Sequence, residues 1–199
     1  MTAILSAKLQ AYDTLLKKWQ KTINLVANST LDDTQTRHFD DSLQILPYLD
    51  AAAPGTVYDL GSGAGFPGLV IAAARPDIDC HLIEASQKKC NFLSAVVREL
   101  QIQNATIHQA RIEDMAKDLP PPDMITARAL ADLETILDLT APWTRHSPGP
   151  CYLLLKGENA EDEIRQAHRH FDFDVRRRDS TTQPGASVLE ITKVGPRQK

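Results

Sequence analysis

Residues Thr56 to Gly68, Thr-Val-Tyr-Asp-Leu-Gly-Ser-Gly-Ala-Gly-Phe-Pro-Gly, constrain the fold of this chain more than any other stretch. A short β-favouring run, Thr56 to Leu60, enters a turn carrying four glycines and leaves it in an apolar run, Leu69 to Ala74. Strand, tight glycine-rich turn and helix together open a nucleotide-binding α/β unit. The glycines let the backbone turn sharply and admit a ligand where a Cβ would collide. Pro67 suits the first turn of the helix, because its missing N–H has no intrahelical partner there.

Two cofactor chemistries fit these glycines. Gly63, Gly65 and Gly68 spell G-x-G-x-x-G, the dinucleotide fingerprint. Asp59, Gly61, Gly63 and Gly65 spell D-x-G-x-G-x-G, which resembles the first motif of class I S-adenosylmethionine-dependent methyltransferases. Glu84, ending the next strand, serves either one, since both cofactors carry a ribose whose hydroxyls want a carboxylate. Asp59 separates them. A carboxylate at the mouth of the first strand can hold the cationic methionine end of the methyl donor, whereas it would repel a pyrophosphate. A glycine-rich loop without any ligand is the third reading.

From residue 56 onward, strand and helix patterns alternate. Strands are expected at 56–60, 80–84, 105–109, 123–127, 150–155, 171–177 and 187–193, and helices at 66–74, 86–100, 112–117, 130–145 and 158–169. Seven strands with interleaved helices imply a Rossmann-like α/β fold, a mostly parallel sheet covered on both faces. The connection from Asp179 to Ala186 is too short for a crossover helix, so the last two strands should pair antiparallel. Ahead of this body, Ile4, Leu5, Leu9, Tyr12, Leu15, Leu16, Trp19, Ile23 and Val26 recur at spacings of three and four. That periodicity predicts an amphipathic helix over 3–28. A second helix is expected over 32–49, capped by Asp32 or Asp33 and burying Phe39, Leu43, Leu46 and Leu49. Ala51-Ala52-Ala53-Pro54-Gly55 divides a helical cap, residues 1–53, from the α/β body, residues 54–199.

Composition narrows the partners. The net charge of −4 argues mildly against nucleic acid, yet residues 165–199 hold eight Lys or Arg against four Asp or Glu. A basic end on an acidic body is compatible with a local phosphate contact, although a solvated surface is the commoner cause. Cys80, Cys90 and Cys151 lie far apart with no C-x-x-C pair, the usage of a cytoplasmic protein with reduced, buried thiols. No signal-like segment and no run of eighteen apolar residues is present, so no membrane span is expected. The absence of heptads or an exposed apolar stripe favours a monomer.

Ligands of such sheets bind beyond the C-terminal strand ends. The third strand leads into Ile112-Glu113-Asp114, where an acid suits the exocyclic amine of adenine and Ile112 its ring face. Both acids also complement a helix dipole. The fourth leads into Arg128, where many amino-group methyltransferases place Asn or Asp followed by Pro-Pro. A guanidinium cannot act as a base at neutral pH. It suits a nucleophile with a bare lone pair, such as guanine N7. A structural ion pair is the alternative for Arg128. Tyr152-x-x-x-Lys156 mimics the catalytic pair of short-chain dehydrogenases, but it falls on a strand rather than a helix. His168-x-His170 has no further metal ligand at a useful spacing, so no metal is expected. Arg176-Arg177-Arg178 reads as a charge-protected strand edge or as a phosphate contact.

Taken together, these residues make the chain resemble the bacterial small-subunit ribosomal RNA guanine-N7 methyltransferases, the RsmG or GidB family. The resemblance runs through Trp19, Asn24-Leu25, Arg37-His38 and Asp41-Ser42-Leu43 in the cap. It continues through Asp59-x-Gly61-x-Gly63-x-Gly65-Phe66-Pro67-Gly68, Arg75-Pro76, Arg111-Ile112-Glu113, Arg128-Ala129 and Lys156-Gly157. Glu84 stands where the family usually has Asp, and Leu25-Val26 where it often has Leu-Thr. The resemblance implies that Gly61, Phe66, Ile112, Glu113 and Arg128 contact S-adenosylmethionine. It also implies methylation of a guanine N7 in 16S rRNA, near the decoding site of the small ribosomal subunit. Such transfer needs no general base, and Arg128 is the candidate catalytic residue. Arg37, His38 and Lys156 are the candidate RNA contacts. An NAD(P)-dependent oxidoreductase, a small-molecule methyltransferase and a binding module with a dead cofactor site remain the alternatives.

Overall fold

The computed structural model describes residues 2–145 and 149–197. Helix α1 (Ala3–Gln20) is capped by Thr2, whose hydroxyl accepts from the Leu5 amide at 3.2 Å, and it buries Leu9, Tyr12 and Leu16. It stops at Gln20 rather than near residue 28, for a local reason. The Gln20 Oε1 accepts from the amides of Leu25 and Val26 at 2.9 and 3.1 Å, and its Nε2 donates to the Val26 carbonyl at 2.9 Å. That amide folds the chain back, so Leu25 and Val26 reach the core from a loop.

The expected helix over 32–49 is instead four pieces. A 3₁₀ helix (Asn28–Asp33), a π-helical turn (Gln35–Asp40), α2 (Asp41–Leu43) and α3 (Leu46–Ala52) follow one another. Pro47 lies in the first turn of α3 and has no amide hydrogen to continue a helix from upstream. Phe39 and Leu49 are buried as expected, while Leu43 and Leu46 are half-buried.

The body runs β1 (Thr56–Leu60), α4 (Gly68–Ala74), β2 (Asp79–Glu84), α5 (Gln87–Glu99), β3 (Ala105–Gln109), α6 (Ile112–Asp118) and β4 (Met124–Arg128). It continues with α7 (Leu133–Thr144), β5 (Cys151–Lys156), α8 (Ala160–Ala167), β6 (Phe171–Asp179) and β7 (Ser187–Pro196). The sheet order is β3-β2-β1-β4-β5-β7-β6. The first five strands are parallel, and β7 runs antiparallel to both β5 and β6. The antiparallel pairing of the last two strands is as expected. The final strand inserts between β5 and β6 and leaves the arginine-bearing β6 at the edge.

Side chains alternate between two apolar layers, the pattern of strands buried on both faces. Val57, Leu82, Leu153 and Leu155 join one layer with residues of α4, α5 and the cap. Tyr58, Leu60, Ile125 and Leu154 join the other with residues of α6, α7 and α8. Tyr12, Leu16, Phe39 and Leu49 of the cap belong to the first layer, with α1 against α4 and α5. Strand order reverses between β1 and β4, so the ligand crevice of such a sheet opens there, beneath the cap. Among the described residues, no helix is long and apolar enough to cross a membrane.

Asn104 ties the end of α4 to the start of β3. Its Nδ2 donates to the carbonyls of Ala72, Arg75 and Ile78 at 3.2, 2.9 and 2.8 Å. Asn104→Ala leaves these part-buried acceptors short of a donor, which should lower stability by roughly 1–3 kcal/mol in urea unfolding.

Candidate active site

The glycine turn takes left-handed backbone at Gly61, Gly63 and Gly65, with φ of 61°, 56° and 85°. Those angles are open to glycine and costly for other residues. Glu84 stabilises the turn from the neighbouring strand: its Oε2 accepts from the Gly63 amide at 2.9 Å, and its Oε1 from the Ser86 amide at 2.7 Å. The Gly65 amide donates to the Ser62 carbonyl at 2.6 Å. Asp59 lies under the turn at 1% exposure, and Gly68 packs directly on it. The Thr126 hydroxyl donates to Asp59 Oδ1 at 2.9 Å, while Oδ2 has no hydrogen-bond partner. Burial pushes the Asp59 carboxyl up to about 6, against the opposing pull of Ser62, Thr126, the Gly68 amide and Arg128.

Arg128 is the last residue of β4, and its side chain is only 17% exposed. Its Nη1 donates to Asp41 Oδ2 and to the Arg37 carbonyl, both at 3.1 Å, and its Nη2 donates to His38 Nδ1 at 3.1 Å. The guanidinium carbon sits 4.9 Å from the centre of the Phe66 ring. Because guanidinium only donates, His38 Nδ1 accepts and Nε2 carries the hydrogen. That Nε2 reaches Thr30 Oγ1 at 2.8 Å, and Thr30 donates onward to the Ala27 carbonyl at 2.7 Å. Burial, with Arg128 and Arg37 adding to it, lowers the His38 pKa to about 4, so the ring is neutral near pH 7. Ala129, next in sequence, holds a φ of 52°, a strained backbone for a residue with a side chain.

These groups line a cavity of about 500 Å³ between the cap, the glycine turn and the ends of β4 and β5. Gln44 and Asp41 roof it by bonding to the β6–β7 loop. Gln44 Oε1 accepts from the Thr181 amide at 2.9 Å, and Asp41 Oδ1 accepts from the Thr182 hydroxyl at 2.8 Å. Lys156 reaches the cavity from β5 with a 7% exposed side chain, pairing with Glu163 at 2.7 Å and donating to the Ala131 carbonyl at 2.6 Å. Glu163 Oε2 also accepts from the Leu133 amide at 2.8 Å.

Of the residues singled out in the sequence, Gly61, Gly63, Phe66, Arg128, Arg37, His38 and Lys156 all border this cavity. Asp59, Gly65, Glu84, Ile112 and Glu113 do not form its wall. Asp59 lies beneath the turn, Glu84 beside it, and Ile112–Glu113 at the start of α6. Arg37 is exposed, whereas His38 is buried. Asp41 appears in the sequence motif Asp41-Ser42-Leu43 without an assigned role, and its pairing with Arg128 spans 87 residues. Gln44 and Glu163 carry no sequence signal. The β5 tyrosine of Tyr152-x-x-x-Lys156 is fully buried and bonded to Thr140 at 2.7 Å, facing α7 rather than the cavity. Among the described residues no group of His, Cys, Asp and Glu is placed to hold a metal ion. His168 stacks on Phe173, and His170 pairs with Glu134.

A sheet that reverses at β1/β4, with one inserted antiparallel strand, a glycine turn and acids ending the first two strands, defines the class I methyltransferase architecture. The solved O-methyltransferase TomG from Streptomyces achromogenes, in complex with SAM, shares that fold. Its TM-score is 0.61 at 14% identity, over 96% of this chain and 90% of that one. At finer resolution, the chain belongs to the GidB family, rRNA small subunit methyltransferase G, whose model matches residues 5–189. A Rhizobium rhizogenes protein called ribosomal RNA small subunit methyltransferase G is 40% identical over 96% of this chain and 93% of its own length. A Rhodospirillum centenum protein of the same name is 44% identical over 96% of this chain and 85% of its own.

Asp59 and His38 give opposite pH dependences. Asp59 titrates near 6 when folded and near its ordinary 3.8 when unfolded, so the folded state holds the extra proton between those values. Stability from this group is therefore lost as pH rises from about 4 to 6. His38, near 4 when folded against an ordinary 6.5, loses stability as pH falls through that window. The advantage of Asp59→Asn over wild type should grow by roughly 3 kcal/mol between pH 4 and 6, then level off. Urea unfolding at stepped pH measures it.

Proposed function

We propose that this protein transfers a methyl group from S-adenosylmethionine to N7 of a guanine in 16S ribosomal RNA. The observation that carries this reading is the state of every would-be base on the cavity wall. Asp41 is held by Arg128 and Thr182, His38 Nδ1 by Arg128, and Glu163 by Lys156 and the Leu133 amide. Among the described lining residues, no carboxylate or imidazole is left without a donor partner. A hydroxyl or protonated amine acceptor needs a base to take its proton. Guanine N7 offers a lone pair with no proton to remove.

The donor fits what the chain presents. The cavity volume lies in the range of small-ligand sites. Asp59 places a carboxylate beneath the turn, and its charge draws the cationic methionine end of the donor. Each Glu84 oxygen spends one lone pair on a backbone amide and keeps another for a ribose hydroxyl. Gly61, Gly63, Gly65 and Phe66 cradle the donor, with Ile112 and Glu113 at its adenine end. When bound, it supplies a methyl group activated by a sulfonium. The chain's part is to position the guanine and exclude water, an effect that can reach about 7–11 kcal/mol. Arg128 holds the cap over the crevice through its pair with Asp41.

For the RNA, the cations divide into paired and available. Arg176 and Arg178 face Glu190 at 3.9 Å, and Arg177 pairs with Glu161 at 3.1 Å. Lys156 is buried against Glu163. Arg37, exposed at the cavity mouth and without an ion pair among the described residues, is the better phosphate contact. In this reading the protein works as a cytoplasmic monomer, with residues 1–53 as the cap and 54–199 as the catalytic body.

Three outcomes are expected. S-Adenosylhomocysteine at a hundredfold over its dissociation constant should stabilise the protein by about 2.7 kcal/mol, and NAD should not. Mapping 7-methylguanine in 16S rRNA from cells lacking the protein should show one site lost, restored by wild type and reduced at least tenfold with Arg128→Ala. Arg37→Ala should reduce the slope of log affinity against log salt by about 0.7–1, with S-adenosylhomocysteine binding unchanged.

A further inference from the structure

Tyr12 forms no part of the cavity wall, yet it grips the glycine turn at two points. Its hydroxyl donates to the Ala64 carbonyl, and its ring lies parallel to Phe66, 5.3 Å between centres at 7°. The side chain is fully buried. Gly65, at φ 85°, allows this approach, since a Cβ there would strike the Tyr12 hydroxyl and stand 2.8 Å from Leu69. Phe66 is held from other sides as well, by His38 stacked at 5.0 Å and Phe39 edge-on at 5.3 Å.

The Ala64 carbonyl and the Gly65 amide belong to one planar peptide unit. Tyr12 pins the carbonyl, and the Ser62 carbonyl takes the amide hydrogen, so this unit is fixed at both ends. The residues flanking Ala64 are Gly63 and Gly65, whose backbones lack a Cβ to restrict rotation. Without the hydroxyl, the peptide between them can rotate, and a donor must then order the turn as it binds. We infer that Tyr12 is a positioning residue for the methyl donor: through Ala64 it presets the turn, making α1 of the cap part of the cofactor site. This rests on S-adenosylmethionine being the ligand of that turn.

Calorimetry with S-adenosylhomocysteine tests it, using Tyr12→Phe, which keeps the ring, and Leu16→Ala, which weakens the same helix without touching the turn. The dissociation constant should rise about tenfold for Tyr12→Phe and stay within twofold of wild type for Leu16→Ala. In turnover, Tyr12→Phe should raise KM for the methyl donor with KM for RNA unchanged. In the unmodified protein, the ligand should slow amide exchange in α1 around Tyr12. Unaltered affinity in Tyr12→Phe, an equal loss in both variants, or unaltered exchange in α1 would each overturn the inference. A folded wild type that does not bind S-adenosylhomocysteine would instead remove the donor assignment, and this inference with it.

Discussion

The ion pair between Arg128 and Asp41, closed over the face of Phe66, is the contact on which the rest of the site depends. It joins the end of β4 to the cap, and Phe66 joins both to the glycine turn. Each partner is largely removed from water, at 17% and 16% side-chain exposure. Breaking such a pair leaves an uncompensated charge in a poorly solvated place, a loss that reaches about 3–5 kcal/mol when burial is complete. The cap is therefore locked to the body by a charged contact at the crevice and by an apolar layer behind it, where Tyr12, Leu16, Phe39 and Leu49 pack with Val57 and Leu153.

That lock shapes the chemistry available. The same guanidinium that holds the cap occupies His38 Nδ1 and one Asp41 oxygen, and the Lys156 ammonium occupies Glu163. Structural pairing and the lack of a free base are one fact seen from two sides. A crevice so arranged favours a substrate atom that is nucleophilic as it stands, which is why a ring nitrogen with an unprotonated lone pair fits it better than an alcohol or an ammonium.

The sheet and the turn were legible from local pattern. Five strand–helix units announced themselves by apolar runs and glycine punctuation, and their bounds differ from the observed ones by one or two residues in most places. The cap was legible only in outline. Its periodicity identified Tyr12, Leu16 and Phe39 as core but merged separate helices. The side-chain amide of Gln20 and the missing hydrogen of Pro47 override hydrophobic spacing. Among the site residues, Arg128 stood out because its position after the fourth strand carries meaning. Asp41 could not be paired with it, since 87 residues separate them and nothing local specifies the contact.

By itself, the sequence determined the glycine turn, the alternation of strands and helices, the acids ending β1 and β2 and the family. These depend on short-range backbone geometry and on side-chain periodicity, which neighbouring residues settle. Only the tertiary structure decided that β7 enters the sheet ahead of β6, that Lys156 is spent on Glu163 rather than left for a phosphate, and that Tyr12 reaches the peptide of Ala64. Each of these is a contact between distant segments. Its existence depends on how two apolar layers close on one sheet, a constraint that no window of adjacent residues contains.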